Sequence, residues 1–375
     1  MMRREVLTDE QTLETVIEDL MEHISIDMQG DCDEETLFTV LLRAASTCST
    51  IEQTTKMLED APDGGTIRYH LNKCDTMSRM EEMLNATLQA RIPGKLTSSA
   101  QRLAIDLNLQ PYYGTPTKEE APYIYRSKAQ SGTCSFYAYA TCYVIRRRKR
   151  VTIALTPVRR DDLMVGILTR LLDQAVQFGL RIKRLYLDRG FFSVPVIRWL
   201  KALDVPVEMP VIIRGKQGGT RQLLQGGKSY KTRYTMKSQD YGEVTFDVWV
   251  VCLYQNGKRG KHGRTYCAYV VHKVFLGLRA VYRDYRLRFG IESTYRLKNT
   301  CRIKTAMKNP VVRLLFVGIA FVLIDLWIYL LWMFVSQPHR GGRLVFCELF
   351  PLQCLLEFLR QAIDRRYHVK QAIYL

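Results

Sequence analysis

The feature that most constrains this chain is an apolar segment at residues 314–335, in which Asp325 is the only charged side chain. Such a segment is long enough to cross a bilayer. It is equally suited to a helix that is apolar on every side because it lies inside a large core. A carboxylate near mid-membrane costs about 2.5–3.5 kcal/mol on insertion scales, and the chain has no second segment of this kind. The segment is therefore either a helix that spans a bilayer or a helix that is surrounded by the protein core.

The charge balance indicates an anionic partner. Of 375 residues, 55 are Lys or Arg and 37 are Asp or Glu, and the formal net charge is +18. Neutralisation of phosphates is the simplest use of such a surface, and an acidic membrane is the weaker alternative. The hydrophobic fraction of 47% is ample for a core, and a chain of this length is expected to form two or three packed units.

The cysteine and histidine pattern argues against a zinc site and against a secreted disulfide scaffold. The ten cysteines are scattered without a Cys-X-X-Cys pair, and the chain has six histidines. Cys142 and Cys252 lie inside apolar runs, where a reduced thiol behaves as a small core residue. Residues 1–4 lead directly into acidic helical sequence rather than into a signal peptide. These features predict a protein of the reducing cytosol.

Residues 8–90 have apolar side chains at helical spacing, and the region 49–73 has the pattern of two short helices. A turn at residues 60–65 separates them, and the second helix carries Arg68. This arrangement is similar to a helix-turn-helix, whose second helix enters a major groove, so Arg68 is a candidate DNA contact. An ordinary helical hairpin explains the same pattern, and the sequence leaves both interpretations open.

From residue 99 onward strands and helices replace the all-helical pattern. Strand-like runs at 103–109, 134–145 and 151–155 predict an antiparallel start. Strands and helices then alternate, as in βαβ units with parallel strands. A later region rich in Gly, Lys and Arg has strand-like pieces at 244–254 and 265–271. The predicted units are a helical, DNA-binding unit at 1–98, the first part of an α/β core at 99–213, a β-rich insertion at 214–277, core helices at 278–335 and a helical tail at 336–375.

Three carboxylates stand out from their surroundings. Asp106 interrupts an apolar strand, where burial is costly without a partner such as a metal ion. Asp188 ends a strand and begins a strand-to-helix turn, where catalytic groups of α/β sheets gather. Glu292 follows Tyr285 and Arg288 at a spacing that would place all three on one face of a continuous helix. Each has a plain alternative: a solvent-facing strand residue, a turn residue or a surface ion pair. Rival carboxylates at 119–120 and 161–162 lie in polar stretches that are predicted to be exposed.

The order of these residues resembles insertion-sequence transposases of the DDE type. The resemblance rests on residues 104–114, residues 187–192 and the Tyr-X-X-Arg-X-X-X-Glu pattern of 285–292, and it covers residues 100–335. It implies an α/β fold: a ribonuclease-H-like mixed sheet flanked by helices, with an N-terminal all-α domain and a β-rich insertion. It also implies that residues 314–335 pack on the sheet as core and that no membrane is involved.

The resemblance implies a role for each motif residue. Asp106, Asp188 and Glu292 would be catalytic and would bind two Mg²⁺ ions, with Mn²⁺ as a substitute. Carboxylate oxygens suit Mg²⁺, and a pair of ions suits phosphodiester chemistry. Arg288 would hold a DNA phosphate, and Tyr285 would contact DNA near the cut.

One position departs from the family pattern. The motif's lysine position is occupied by Asn299, and Lys298 lies one residue earlier, about 100° round a regular helix. Either Lys298 takes over the phosphate contact or another residue such as Arg302 or Lys304 does. The sequence leaves this choice open.

A basic run at residues 146–150 lies between two predicted strands. Its members Arg146, Arg147 and Arg148 are candidates for contacts with DNA phosphates, and a solvated hairpin is the alternative. The β-rich region carries a second set of basic residues. Trp249 within it is predicted to be a core residue of a strand, with base stacking as the alternative.

These inferences predict a transposase that binds the terminal inverted repeats of its own mobile element as double-stranded DNA. The enzyme would cut at the 3′ side and join the freed 3′-hydroxyl to target DNA. Two ends must be held together, so a homodimer is expected in the DNA complex, and the expected location is a prokaryotic cytoplasm, at the nucleoid. A stand-alone nuclease on the same core and a catalytically inactive repressor remain as alternatives.

Overall fold

The structure, a computed structural model, describes residues 6–30, 32–146, 149–255, 263–340 and 342–372, with the side chains of residues 149, 255 and 289–295 outside the description. In the first part of these ranges a set of helices precedes a group of strands. In chain order these elements are α1 (Asp9–His23), α2 (Glu34–Ser46), α3 (Ile51–Met57), α4 (Gly64–Leu71), α5 (Met77–Ala90), β1 (Gln101–Pro111), β2 (Ile124–Gln130), β3 (Thr133–Arg146) and β4 (Lys149–Pro157).

The later ranges alternate helices and strands and end in a helix. Their elements are α6 (Met164–Gln177), β5 (Ile182–Leu187), α7 (Val194–Ala202), β6 (Val207–Pro210), β7 (Tyr230–Ser238), β8 (Gly242–Gln255), β9 (Gly263–His272), α8 (Leu278–Tyr285), α9 (Ile291–Thr300), α10 (Pro310–Met333), β10 (Ser336–His339), β11 (Gly342–Val345) and α11 (Leu352–Arg366).

One mixed sheet of nine strands organises the described ranges, and β10 and β11 form a separate hairpin. The strand order is β2-β3-β1-β5-β6-β9-β8-β7, and β4 pairs with β3. Strands β1, β5 and β6 run parallel to one another, whereas β3 is antiparallel to β1. A mixed sheet flanked by helices, with an antiparallel start and parallel strands after it, is therefore confirmed. Strands β2, β7, β10 and β11 were not among the predicted strands, and the last two lie in the segment predicted as a polar loop and a helical tail.

The β-rich region of residues 214–277 continues this sheet. Strand β9 pairs antiparallel with β6, with Glu208 opposite Val271, and β8 and β7 follow outward. The region is thus hydrogen-bonded to the strand next to β5. The boundary that we predicted between core and insertion stays a prediction, but these strands share one set of backbone hydrogen bonds with the core.

Two apolar cores lie on the two faces of the sheet. Alternate side chains of β1 divide between them: Leu103 and Ile105 join the core beneath α6 and α7, while Ala104 faces the core shared with α1–α5, α8, α10 and α11. This division follows from the two-residue period of a strand. Asp106 therefore lies on the same face as α8.

Helix α10 contains most of the apolar segment, and its position explains the segment's composition. In its most apolar stretch 78% of the residues are buried inside the protein, so this part of the chain is core. The acidic residue of this segment binds the sheet: Asp325 Oδ1 accepts a hydrogen bond of 3.1 Å from the backbone N–H of Thr152 in β4. Burial raises the pKa of Asp325 well above its ordinary value.

Side chains of α5 bind further backbone groups at the outer edge of β4. Asn85 of α5 donates to the carbonyl of Leu155 at 2.9 Å and accepts from its N–H at 2.7 Å. Gln89, one turn later, donates to the carbonyl of Ile153 at 2.9 Å. An unpaired strand edge exposes backbone groups that must be satisfied, and here helical side chains satisfy them.

The helices at the two ends of the described chain pack together. Helix α11 lies against α1 and α2, and Arg43 Nε contacts Asp364 Oδ1 at 2.6 Å with both side chains largely buried. Helices α3 and α4 have the two-helix arrangement expected at residues 49–73. Arg68 of α4 donates to Glu52 Oε2 of α3 at 3.0 Å, so its proposed DNA contact stays a prediction.

Candidate active site

Strand register brings Asp106 and Asp188 together. Strands β1 and β5 are parallel neighbours in which Ile105 is paired with Leu187. Asp106 and Asp188 are the next residues after this pair, so they lie side by side. The Asp106 side chain is 17% exposed and that of Asp188 is 38% exposed. Two carboxylates from different segments therefore open onto one place at the carboxyl end of β5.

A single guanidinium connects the two carboxylates. Arg288 Nη2 lies 3.2 Å from Asp106 Oδ2, and Arg288 Nη1 lies 3.2 Å from Asp188 Oδ1. The Arg288 side chain is only 10% exposed. Its burial is the largest single effect and opposes the charged form, but the interactions with Asp106, Tyr285 and Asp188 together outweigh it and raise the pKa of Arg288 above its ordinary value. The residue predicted to hold a phosphate thus contacts both predicted metal ligands.

The helix that carries these residues is not continuous. Helix α8 ends at Tyr285, a 3-10 turn occupies Arg286–Gly290, and α9 begins at Ile291. The expectation that Tyr285, Arg288 and Glu292 share one face of an unbroken α-helix is therefore wrong. The tighter 3-10 geometry rotates successive residues by more than an α-helix does.

Tyr285 fixes the end of α8 beneath the aspartates. Its side chain is 2% exposed, and its hydroxyl donates to the carbonyl of Leu187 at 3.0 Å. Its ring also contacts those of Tyr186 and Tyr269. In this arrangement Tyr285 supports the residue before Asp188, and a contact between Tyr285 and DNA stays a prediction.

A buried ionic cluster joins α8 to the sheet one turn before the site. Asp284 Oδ2 lies 3.3 Å from Arg184 Nη1 and accepts a 2.8 Å hydrogen bond from the Tyr186 hydroxyl. Arg184 also contacts Glu208, which is completely buried. Burial raises the pKa of Glu208 to about 7 despite this contact. The cluster holds α8 against β5 and β6, and so it supports the position of Arg288.

The third predicted ligand has a defined place in the chain. Glu292 is the second residue of α9, and its side chain lies outside the described residues. Among the described residues, no further acidic, His or Cys side chain joins Asp106 and Asp188 to make a group of three that could hold a metal ion. The assignment of Glu292 therefore stays a prediction.

Lys298, and not Asn299, faces the sheet. Lys298 is 2% exposed, and its Nζ donates to Asn108 Oδ1 at 2.6 Å. Asn108 lies two residues after Asp106, on the same face of β1. Asn299 is exposed. Of the two alternatives in the sequence, Lys298 is the one near the aspartates, and burial lowers its pKa to about 8.

Replacing Lys298 with methionine should change how stability depends on pH. The pKa of Lys298 falls from its ordinary 10.5 to about 8 on folding, so the cost of burying the charge is fully present below pH 8. That cost is relieved as pH rises from 8 to 10.5. Between pH 7 and pH 10 the free energy of unfolding of wild type should therefore rise by about 2 kcal/mol relative to that of Lys298→Met. Urea unfolding of both proteins at each pH measures this gain, and a constant difference would contradict the buried charge.

The cleft beside the aspartates is lined partly by residues of the predicted β-rich insertion. Arg189 lies next to Asp188, and Tyr266, Cys267 and Tyr269 come from β9. We had assigned β9 to a β-rich insertion, and no local pattern indicates that it pairs with β6. One wall of the cleft is therefore formed by β9, which lies about 80 residues after Asp188 in sequence. The pairing of β9 with β6 brings it next to the aspartates.

Among the described residues, Arg146 and Arg302 are not part of the lining of the cleft that contains Asp106 and Asp188. Arg146 donates to Gln101 Oε1 at 3.2 Å and to Ser99 Oγ at 3.4 Å, whereas Arg147 and Arg148 lie outside the described residues. Arg302 is exposed and lines a small pocket together with Lys298. Trp249 is 7% exposed, as expected of a core residue, with Lys231 Nζ 3.8 Å above its ring.

One rival carboxylate was misjudged. Glu120 was predicted to be exposed, but it is completely buried. It accepts hydrogen bonds from the hydroxyls of Tyr112 at 3.2 Å and Tyr137 at 2.8 Å. Two tyrosine hydroxyls therefore satisfy this carboxylate within the fold. Asp162 is partly buried and is likewise bound, by Arg170 at 2.7 Å.

The fold is shared with a known DNA-processing enzyme. No protein-family profile and no curated protein matches the chain. Among solved structures it is similar to a cryo-EM structure of the piggyBac transposase synaptic complex with hairpin DNA. The TM-score is 0.54 and the identity 10%, over 99% of this chain and 84% of that one.

The chain therefore has a transposase fold. An identity of 10% establishes the architecture and leaves activity to be argued from the site, because one fold hosts many functions. The likeness extends over nearly the whole chain, so it includes the helices and the β-rich region as well as the strands that carry the aspartates. The insertion-sequence family and the ribonuclease-H-like assignment are not decided by this likeness.

Proposed function

We propose that this protein is a DDE-type DNA transposase that cleaves the ends of a mobile element and joins them to target DNA. The observation that carries the proposal is the adjacency of Asp106 in β1 and Asp188 directly after the neighbouring strand β5, where both border an open cleft. The transposase fold supports it, and so does the order of motif residues in an insertion-sequence, ribonuclease-H-like pattern.

The donor set fits divalent cations of the Mg²⁺ type. Asp106 and Asp188 supply hard carboxylate oxygens from two elements, both partly open to the cleft, and Glu292 on α9 would supply a third. Mg²⁺ prefers oxygen ligands and keeps several waters, so a few carboxylates suffice, and Mn²⁺ would serve as a substitute. When bound, the two ions would neutralise phosphoryl charge and activate the attacking oxygen.

The reaction that we propose has two balanced steps at phosphorus. In the first, water attacks the scissile phosphorus, the P–O3′ bond breaks, and the leaving oxygen takes a proton to become a 3′-hydroxyl. In the second, that hydroxyl attacks a target phosphorus, the target P–O3′ bond breaks, and the leaving target 3′-oxygen takes the proton that the attacking hydroxyl gives up. Asp106 and Asp188 would hold the reacting phosphate through the bound ions. The cationic side chains of Arg288 and Lys298 would bind its non-bridging oxygens.

The partner that fits this surface is double-stranded DNA. The net charge of +18 suits phosphate neutralisation, and Arg146, Arg302 and Arg68 are proposed contacts, together with Arg147 and Arg148. Both ends of an element must react together, so we propose a homodimer in the DNA complex. A cytoplasmic, nucleoid-associated location follows from this substrate.

Processing of end DNA tests the proposal. A labelled duplex carrying the element's terminal repeat is incubated with protein and Mg²⁺, and nicked, hairpin and joined products are resolved. We expect cleavage and joining by wild type and neither by Asp106→Ala. A duplex with a scrambled end serves as the control and should not be cut at a defined position.

The same assay separates the competing functions. Cleavage without joined products would indicate a stand-alone nuclease, and tight binding without either reaction would indicate a repressor. Binding measured over a range of salt should weaken as salt rises because counterions are released from the phosphates.

A further inference from the structure

We propose that Arg288 competes with divalent cations for Asp106 and Asp188, so that metal loading requires the guanidinium to leave the carboxylates. This inference rests on the proposed metal-dependent function. It gives Arg288 a role in the DNA-free protein in addition to any contact with phosphate. The arginine would act as a positioning residue that keeps the site closed to cations until DNA offers it another anion.

The contact geometry shows why one side chain can block both ligands. Two different terminal nitrogens of Arg288 reach one oxygen each of Asp106 and Asp188, both at 3.2 Å. A guanidinium presents a planar fork of donors that is matched to carboxylate oxygens. Asp106 Oδ1 accepts a 2.9 Å hydrogen bond from the backbone N–H of Leu107, so the fork contacts the Asp106 oxygen that its own backbone does not bind.

Charge makes the two occupants mutually exclusive. The arginine balances part of the repulsion between two carboxylates held side by side, which is otherwise unfavourable. A divalent cation next to a buried guanidinium would meet strong repulsion, because only 10% of the Arg288 side chain is exposed to screening solvent. Binding of the ion and retention of the arginine therefore oppose each other.

The backbone at Arg288 offers a route for its release. The residue belongs to the 3-10 turn Arg286–Gly290 between α8 and α9, and such turns within a helical stretch often mark hinges. Tyr285 before the turn is anchored to Leu187. Rearrangement of this turn would move Arg288 while Tyr285 keeps its hydrogen bond to Leu187.

A DNA phosphate supplies the compensating partner. Guanidinium groups bind phosphate as they bind carboxylate, with two parallel hydrogen bonds. When a phosphate enters the cleft, Arg288 can exchange its two carboxylates for it and leave the aspartates to the cations. DNA and metal would then strengthen each other's binding, as thermodynamic linkage requires.

Mn²⁺ binding to the DNA-free full-length chain tests this inference. Titration calorimetry, or electron paramagnetic resonance of unbound Mn²⁺, gives the affinity of wild type and of Arg288→Gln. We expect the variant to bind Mn²⁺ about tenfold or more tightly than wild type, since an arginine beside a carboxylate typically shifts its proton affinity by that factor or more. Wild type should approach the affinity of the variant when a short duplex is added.

Arg286→Gln is the matched control. Arg286 lies two residues away, is exposed, and donates to the Tyr282 hydroxyl at 3.2 Å, so this variant removes the same charge without touching the aspartates. It should change Mn²⁺ affinity by less than about twofold, as expected for a screened surface charge. Arg288→Met, which also removes both the charge and the fork, should bind Mn²⁺ more tightly than wild type, and it tests the inference if the glutamine variant does not fold.

The outcomes separate this inference from the proposed function. If Asp188→Asn abolishes Mn²⁺ binding while Arg288→Gln and Arg288→Met bind Mn²⁺ no more tightly than wild type, the proposed competition is wrong and the metal site is retained. If Asp188→Asn leaves Mn²⁺ binding unchanged, the aspartates are not the metal site and the proposed function fails with it.

Discussion

Asp188→Asn is expected to reduce Mg²⁺-dependent cleavage of end DNA by about 10³-fold while leaving DNA binding intact. The substitution keeps the size of the side chain but removes the negative charge that a cation needs, and charge stabilisation by a bound metal is worth several kcal/mol. Asp188 follows β5 and is 38% exposed toward the cleft, so the amide fits without repacking. Single-turnover cleavage measures the rate, and fluorescence anisotropy of the same duplex measures binding.

The control for this variant is another aspartate. Asp161 is exposed and does not line the cleft that contains Asp106 and Asp188. Asp161→Asn should therefore cut at the wild-type rate. Equal losses in the two variants, or cleavage that survives in Asp188→Asn, would show that the aspartate pair is not the catalytic centre.

Asn85→Ala is expected to lower the free energy of unfolding by about 3 kcal/mol. Asn85 is 5% exposed and binds both the N–H and the carbonyl of Leu155. Its removal leaves two buried backbone groups of β4 without partners, and each such group costs about 1–3 kcal/mol. Urea denaturation followed by circular dichroism gives the difference.

A surface substitution on the same helix tests whether the loss is specific. Glu82 is exposed on α5 and pairs with Arg79, which is exposed as well. Glu82→Ala should cost less than about 0.5 kcal/mol. If Asn85→Ala cost no more than this control, the edge of β4 would have to be satisfied in another way, and the account of the sheet edge would be wrong.

Local patterns were enough to find the elements that carry the aspartates. The apolar runs around Asp106 and before Asp188 have the length and composition of buried strands. The two aspartates lie side by side because these strands, β1 and β5, are parallel neighbours in the sheet. The apolar helix was also found from composition alone. These features depend on a few consecutive residues, which is why a single sequence contains them.

Contacts between distant residues could not be found in this way. The hydrogen bond from Thr152 to Asp325 joins residues 173 positions apart. The sequence around Asp325 therefore does not show why an apolar helix contains a carboxylate. The burial of Glu120 depends on Tyr137 in another strand. The 3-10 turn at Arg288 lies where the sequence predicts a regular helix, and the arginine's contacts with both aspartates depend on tertiary packing.

The pairing of the first and last helices has a consequence for synthesis of the protein. Arg43 and Asp364 are 321 residues apart, and α10 and α11 supply part of the core that covers α1–α5. At about 5–20 residues per second a ribosome needs on the order of 15–60 s to make the intervening chain. During that time the apolar residues of α1–α5 that pack against α10 and α11 lack these partners. A shortened copy that stops before α10 is therefore expected to be less stable than the full chain.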